Sequence, residues 1–142
     1  MTKILLAGSR QIDLSTPCCM GVLNVTPDSF SDGSTLGRES KAGSGHSSFE
    51  VDLDKVLERA EKMAAEGALF LDIGGESTRP GATPVPVQEE IDRVVPVIAA
   101  LRARFVLCLS VHTTSSEVMT AAIGPGSELL NDLRVLADAV AL

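Results

Sequence analysis

Short apolar runs and longer amphipathic runs alternate along this chain. The apolar runs have the length of strands and cover residues 20–25, 69–73, 105–111 and 128–130. The amphipathic runs, residues 51–66 and 87–102, repeat apolar side chains every three or four positions, which is the spacing of one helix face. This alternation predicts parallel strands joined by helical crossovers, and therefore an α/β fold.

Local signals sharpen the ends of these elements. Gly67 lies where the C-terminal cap of the first helix belongs, and Ser115 can cap a third helix. Residues 3–14 suggest a short leading hairpin, and residues 133–142 an apolar last helix. We treat residues 1–142 as one domain.

A polar segment rich in glycine and serine covers about residues 33–48. Loops of this length in compact α/β proteins are usually functional lids or excursions, so we expect a mobile loop insert here. His46 within it is expected to be a solvated residue rather than a catalytic one.

Charge and hydropathy exclude several classes of function. The formal net charge is -7 and no dense basic run is present, which argues against nucleic-acid binding. No apolar run approaches the ~20 residues of a membrane span, and the start of the chain lacks the apolar segment of a secretory signal. These features predict a cytoplasmic protein without a membrane or nucleic-acid partner.

The cysteines do not suggest a metal or redox site. Cys18, Cys19 and Cys108 are odd in number and lack C-x-x-C spacing, which disfavours zinc. Each lies in or beside a predicted strand, so we expect reduced, buried side chains that act as small hydrophobes.

Polar side chains gather where the predicted strands end. Asn24 and Thr26 follow an apolar strand and offer neutral oxygens that suit hydrated Mg²⁺ and phosphate, although the same composition is typical of a capped turn. The carboxyl ends of parallel strands converge on one rim, where α/β enzymes build their sites. The candidates at such ends are Asn24, Thr78, Arg79, His112 and Asn131.

Two long motifs resemble the signatures of dihydropteroate synthases. Residues 20–33 (MGVLNVTPDSFSDG) are similar to the first signature, and residues 71–81 (LDIGGESTRPG) to the second. Residues 110–113 and 130–132 are similar to the third and fourth strand ends. The resemblance implies a (β/α)8 TIM-barrel fold, of which this chain supplies about the first four βα units, a half-barrel.

The resemblance also implies a reaction of folate biosynthesis. In that family, p-aminobenzoate condenses with 6-hydroxymethyl-7,8-dihydropterin diphosphate, pyrophosphate leaves, Mg²⁺ assists, and sulfonamides inhibit. No protein nucleophile is required, so no catalytic residue is assigned. The expected partners are therefore two small-molecule substrates.

The resemblance assigns roles to particular residues. Asn24 would contact magnesium and the diphosphate, and Asn131 the pterin. Thr78 and Arg79 would belong to the second substrate loop, where a guanidinium suits phosphate or carboxylate oxygens. Phe30 and Pro80, which the pattern alone would assign to loop packing, would help to form the p-aminobenzoate pocket. We expect Asp72, Glu76 and Ser77 to anchor this loop or to contact substrate.

His112 departs from the family pattern, which has an aspartate after Ser-Val. A neutral imidazole offers one acceptor, and a donor of the pterin left unpaired there would cost about 1–3 kcal/mol. We still expect His112 to face the substrate.

Two alternatives remain open. The chain is a catalytically inactive half-barrel or binding partner, since half a barrel leaves unpaired strand edges that invite a second copy and a possible homodimer. Otherwise it is a pterin-binding methyltransferase module of related fold, although the loop at residues 78–81 resembles the synthase version.

Overall fold

The computed structural model describes residues 1–27, 36–41, 47–132 and 134. In chain order its elements are β1 (Ile4–Ala7), β2 (Arg10–Asp13), β3 (Cys19–Asn24), β4 (Gly37–Lys41), β5 (Ser47–Val51), α1 (Leu53–Ala65), β6 (Ala68–Gly74), α2 (Val87–Arg104), β7 (Cys108–His112), α3 (Ser116–Ile123) and β8 (Leu129–Asn131).

A parallel four-stranded sheet forms the centre of the fold, with strand order β3-β6-β7-β8. Each strand pairs with the next one of the set, and α1, α2 and α3 make the successive crossovers. This arrangement confirms the predicted α/β alternation. The expected helix and strand boundaries differ from the observed ones by a few residues.

One face of the sheet packs against the helices. The buried side chains there come from β3, β6 and β7 on one side and from the helices on the other: Leu23, Leu71, Ile73, Leu109, Val111, Val56, Ala60, Val94, Val97, Ile98, Leu101, Val118 and Ala122. Burial of this apolar surface is the main force that holds the helices to the sheet. Ser115 caps α3 as predicted, because its side chain accepts a hydrogen bond from the Val118 amide.

The opposite face of the sheet is arranged in layers, because alternate residues of a strand point to the same side. Strand register places Phe70 beside Cys108 in the lowest layer. Asp72 lies beside Ser110 in the next layer, and His112 beside Asn131 in the layer at the strand ends. Polarity therefore increases toward the carboxyl ends of the strands.

The predicted leading hairpin is present and closes the lowest layer. β1 and β2 pair antiparallel, and Ala7 packs with Phe70 and Cys108 in a small apolar cluster. Glu128 joins the hairpin to the sheet by accepting from Arg10 Nε at 2.6 Å and from Arg102 Nη2 at 2.9 Å. Burial alone would raise the pKa of Glu128, but the two guanidinium groups outweigh it and leave the pKa below its usual value.

The segment at 33–48 is not simply a loop. β4 and β5 pair antiparallel, from Gly37 opposite Val51 to Lys41 opposite Ser47. The Leu36 carbonyl accepts from the Asp52 amide at 2.8 Å, which ties this sheet to the start of α1. The loop prediction is therefore wrong for these strands, because backbone pairing overrides a composition that favours turns. Residues 33–35 and 42–46, with His46, lie outside the described residues, as does most of the predicted last helix.

The cysteine prediction is confirmed at one position and wrong at two. Cys108 is buried, and burial, followed by the nearby Glu128 carboxylate, raises the pKa of its thiol to about 11. Cys18 and Cys19 are exposed. Cys19 is the first residue of β3, an edge strand of the sheet as described, and Cys18 precedes it. Among the described residues, no helix is long and apolar enough to cross a membrane.

Candidate functional site

A cavity of about 350 Å³ opens at the carboxyl ends of the parallel strands. Its lining includes five of the residues predicted from sequence: Asn24, Thr78, Arg79, His112 and Asn131. Met20, Val22, Thr26, Asp72, Glu76 and Ser77 complete it. The structure thus brings together side chains that are more than a hundred residues apart in sequence, as the geometry of parallel strands predicts.

Two predicted residues are not placed in this cavity. Phe30 lies outside the described residues. Pro80 is exposed and does not line the cavity, because the chain turns away after Arg79: the Ala82 amide donates to the Arg79 carbonyl at 3.1 Å, and Gly81 adopts a φ of 83°. The role of both residues toward p-aminobenzoate stays a prediction.

Asp72 is the centre of a buried polar network in this cavity. Asn131 Nδ2 donates to Asp72 Oδ2 at 2.9 Å, and His112 Nδ1 lies 3.4 Å from the same oxygen. Only 2% of Asp72 is exposed, so its carboxylate needs such partners to remain ionised. The network links three strands of the sheet.

The network shifts the pKa values of both ionisable partners. Burial alone would raise the pKa of Asp72, but contacts from His112, Ser110 and Asn131 outweigh it, so the pKa lies below its usual value. The hydrogen bond to Asp72 raises the pKa of His112 above its usual value, although burial opposes it. The pair therefore favours an anionic carboxylate beside a protonated imidazole.

Several buried polar atoms of the network can form further hydrogen bonds. Asp72 Oδ1, Ser110 Oγ and His112 Nε2 are buried and have no hydrogen bond of regular geometry among the described residues. Ser110 lies close enough to lower the pKa of Asp72 without forming such a bond. Buried polar atoms are nearly always paired in folded proteins, so this group is suited to a polar ligand or ordered water.

The second loop is held by contacts on both sides. Arg93 Nη1 of α2 donates to the Gly75 carbonyl at 3.0 Å, and Glu76 Oε1 accepts from the Val85 amide at 3.2 Å. Ser77 Oγ accepts from the Arg79 amide at 3.5 Å. Glu76 and Ser77 thus anchor the loop, which was one of the two roles expected for them. Both also line the cavity.

Sequence reasoning missed the charged residues of α2 that support this loop. Arg93 and Glu90 are buried on a helix whose predicted inner face was apolar. Arg93 also pairs with Glu89 and lies over the Phe49 ring at 5.3 Å. Burial raises the pKa of Glu90, although a hydrogen bond with Thr113 opposes the shift. The sequence did contain a signal for this support, because Glu90 stands at a core-facing position of the helix.

A second cavity of about 540 Å³ adjoins the first and shares Thr26 and Ser77 with it. Its remaining lining comes from Pro27, the turn at residues 82–86, Glu89 and Arg93. The two cavities therefore share part of one wall.

Magnesium binding at this cavity stays a prediction. The described part of the chain holds no group of three or more His, Cys, Asp or Glu side chains arranged to bind a metal. Mg²⁺, however, usually keeps several waters and takes one or two protein oxygens plus substrate phosphates. The amide of Asn24, which lines the first cavity, can supply one such oxygen.

Comparisons with known proteins agree with the geometry. The profile of a family described as pterin-binding enzymes matches residues 20–141. The dihydropteroate synthase of Haemophilus influenzae is 46% identical over 97% of this chain, and the match covers 45% of that protein.

Solved structures give the same result. A Yersinia pestis dihydropteroate synthase with a sulfonamide drug complex has a TM-score of 0.83 and 46% identity, over 98% of this chain and 46% of that one. Xanthomonas albilineans dihydropteroate synthase with 4-aminobenzoic acid has a TM-score of 0.80 and 43% identity, over 99% and 46%. The chain thus spans a little under half the length of these relatives.

Proposed function

This chain belongs to the family of pterin-binding enzymes, and we propose from that premise that it serves the dihydropteroate synthase reaction of folate biosynthesis. Its parallel βα units form about half of a (β/α)8 TIM-type barrel, the fold predicted from sequence. The observation that carries the proposal is the cavity at the strand ends, because Asn24, Arg79 and Asn131 all line it.

In the proposed reaction, p-aminobenzoate displaces pyrophosphate from the pterin diphosphate. The aromatic amine forms a C–N bond to the methylene carbon while the C–O bond to the diphosphate breaks. Pyrophosphate leaves with the bonding electron pair, and the amine loses a proton. The protein then needs to align the two substrates and to stabilise the charge that develops on the leaving group.

The cavity residues suit these tasks. Arg79 is exposed on the second loop, where its guanidinium can pair with diphosphate oxygens as the charge develops. Thr78 adds a hydroxyl beside it. Asn131 can donate and accept at once, which matches the edge of a pterin. When bound, Mg²⁺ would neutralise diphosphate charge next to the Asn24 amide oxygen.

Further elements of the proposal follow from the family. Phe30 and Pro80 remain the proposed apolar contacts to p-aminobenzoate. A cytoplasmic location and a response to sulfonamides, which compete with p-aminobenzoate, belong to the same proposal.

A second candidate function is pterin-diphosphate binding without turnover. β3 and β8 each pair with a single neighbour among the described residues, and Met20 and Val22 are 43% and 48% exposed on the cavity side. Such an open sheet favours a site that another half-barrel or a second copy must close. A homodimer is one way to supply that closure.

Pyrophosphate release from the pterin diphosphate, with Mg²⁺ and with or without p-aminobenzoate, separates these candidates. Release that depends on p-aminobenzoate supports the synthase. Saturable binding of the diphosphate without release supports the second function. If neither is observed with folded protein, both proposals fail.

Variants test the residue assignment in the same assay. Asn24→Ala and Arg79→Ala should each weaken pterin-diphosphate binding by about 10-fold or more, because each removes a contact to a charged group. Arg104→Ala is the matched control: this arginine pairs with Glu61 on the exposed surface, outside the cavity, and should bind within about 2-fold of wild type. Full binding by both site variants would remove the assignment.

A further inference from the structure

We propose that Arg93 is a positioning residue that couples the β4–β5 sheet to the second loop, which carries Thr78 and Arg79. The inference rests on the proposed function and deepens it, because it names what holds the diphosphate-binding loop in place before the ligand arrives. It also gives a role to the β4–β5 sheet, to which the proposed reaction assigns none.

Arg93 is buried and contacts three different parts of the protein. Only 5% of it is exposed. Its Nη1 donates to the Gly75 carbonyl at 3.0 Å, and its Nη2 donates to the Glu89 carboxylate. Its guanidinium carbon lies 5.3 Å from the centroid of the Phe49 ring. A planar guanidinium can donate in fixed directions and stack on an aromatic ring at once, so one side chain joins α2, the second loop and β5.

The Phe49 side of this contact is anchored at the base of the β4–β5 sheet. Leu36 belongs to the main hydrophobic core, and Val51 packs against that core. Gly37 pairs with Val51 in the strand register, and a Cβ on Gly37 would collide with the Phe49 ring. The ring therefore has a close neighbour within its own sheet, and the position of the sheet fixes the surface on which the Arg93 guanidinium rests.

The loop side of the contact lies close to the proposed diphosphate-binding residues. Gly75 is buried and precedes Arg79 by four positions. Thr78 and Arg79 both line the cavity at the strand ends. A buried carbonyl that loses its donor is costly, so a loop without Arg93 would shift until the Gly75 carbonyl reached water. Such a shift would move Thr78 and Arg79 with it.

Direct contact with a ligand is the competing role for Arg93, because it lines the second cavity. Its two terminal nitrogens, however, already donate to Gly75 and Glu89. Its Nε is buried and has no partner among the residues that the structure describes. Little of the guanidinium is therefore left to face a ligand. The two roles differ in the ligand-free protein, since only the positioning role changes the loop before binding.

Amide hydrogen exchange of the ligand-free protein, followed by NMR, tests the positioning role directly. Arg93→Met keeps a long unbranched side chain but removes the charge and every donor. The amides of Ala82 and Val85 are hydrogen-bonded within the second loop, to the Arg79 carbonyl and to Glu76 Oε1. Both should exchange about 5-fold or more faster in Arg93→Met than in wild type. Unchanged exchange at both amides would overturn the inference, whatever happens to affinity.

Affinity for the pterin diphosphate, measured by calorimetry, tests the consequence for the site. Arg93→Met should bind about 10-fold or more weakly, because Arg79 is no longer held where the diphosphate lies. Arg93→Lys keeps the charge but lacks the planar fork that reaches Gly75 and Glu89 together, so its affinity should lie between the two. Wild-type affinity in folded Arg93→Met would overturn the inference.

Arg102→Met is the matched control on the same helix. Arg102 also donates to backbone carbonyls, those of Leu107 and Gly126, and it pairs with Glu128 away from both cavities. The variant should lower the urea midpoint but bind within about 2-fold of wild type, since distant sites act independently. If Arg102→Met loses as much affinity as Arg93→Met, the loss follows global stability and the inference is overturned.

Phe49→Leu tests the coupling to the β4–β5 sheet. Loss of the ring beneath the guanidinium should weaken binding by about 2- to 5-fold and speed exchange at Val85. The double variant with Arg93→Met should bind no more weakly than Arg93→Met alone, because Phe49 acts through Arg93. Effects that multiply would overturn the coupling. Phe105→Leu, at the far end of α2, is the control and should bind within about 2-fold of wild type.

The exchange measurement separates this inference from the proposed function. If wild type binds no pterin diphosphate, the proposed function fails, while exchange at Ala82 and Val85 still decides whether Arg93 holds the loop. If wild type binds the diphosphate and the variants change neither exchange nor affinity, this inference fails and the proposed function stands. If Arg93→Met does not fold, unchanged exchange at Val85 in Phe49→Leu overturns the inference instead.

Discussion

Gly75→Ala tests how closely the second loop approaches α2. Gly75 is buried directly after β6, and its carbonyl accepts from Arg93 Nη1 at 3.0 Å. A Cβ at this position would lie 2.9 Å from Val94 Cγ1 and 3.0 Å from Glu90 Cγ. Val94 is fully buried in the core, so it cannot move aside without disturbing its neighbours.

The magnitude follows from this geometry. An added methyl group that forces a well-packed core to shift costs about 1–3 kcal/mol. For a chain of this size that loss corresponds to a fall in melting temperature of roughly 3–12 °C. The loop that carries Thr78 and Arg79 must move with the backbone, so affinity for the pterin diphosphate should also fall.

Gly124→Ala provides the matched control. Gly124 follows α3 with a φ of -56° and a ψ of -46°, and a Cβ there would meet nothing within 4 Å. Alanine fits this conformation and reduces the freedom of the unfolded chain, so a gain of about 0.4–1 kcal/mol is expected. Urea unfolding of both variants gives the comparison. If Gly75→Ala unfolds at or above the wild-type midpoint, the close approach of the loop to α2 is refuted.

Three further outcomes are expected. Thiol titration of the native protein at pH 8 should modify Cys18 and Cys19 quickly but Cys108 only after unfolding, since Cys108 is buried and its pKa is about 11. Rapid modification of all three would contradict the packing of Cys108 against Ala7 and Phe70. Glu128→Gln should lower the free energy of unfolding by about 1–2 kcal/mol, because it weakens two part-buried ion pairs, and an unchanged urea midpoint would argue against them. The pKa of His112 is raised in the folded protein, so the stabilisation from its contact with Asp72 is complete below pH 6.5 and is lost as pH rises through the folded-state pKa. The difference in urea midpoint between wild type and His112→Asn should therefore shrink with rising pH. A difference that stays constant would oppose the pairing of His112 with Asp72.

Much of the site could be predicted from sequence because its residues directly follow strands that local sequence patterns reveal. Each strand is read from an apolar run, and parallel strands place the residues that follow them on one rim. Asn24, Thr78, Arg79 and Asn131 could be named on that basis together with the family motifs. Their shared cavity required no knowledge of side-chain contacts.

The network around Asp72 could not be predicted in the same way. Asn131 and Asp72 are 59 positions apart, and their hydrogen bond reaches across β7 from β8 to β6. Such a contact depends on strand register and on side-chain rotamers, which no local pattern encodes. An aspartate inside an apolar strand signals only that a partner must exist.

Two errors have the same physical origin. Cys18 and Cys19 were expected to be buried because strand residues often are, but exposure depends on which strand lies at the edge of the sheet. β4 and β5 were expected to be loop because their composition favours turns, but cross-strand hydrogen bonds decide their conformation. Both outcomes are tertiary effects that override local preference.

The most direct test of the central claim is a crystal structure of the protein with Mg²⁺ and 6-hydroxymethyl-7,8-dihydropterin diphosphate. The account predicts the ring in the cavity of about 350 Å³, against Asn131, and the diphosphate beside Asn24 and Arg79. Ligand bound elsewhere, or an empty cavity at a concentration that saturates the protein in solution, would contradict it.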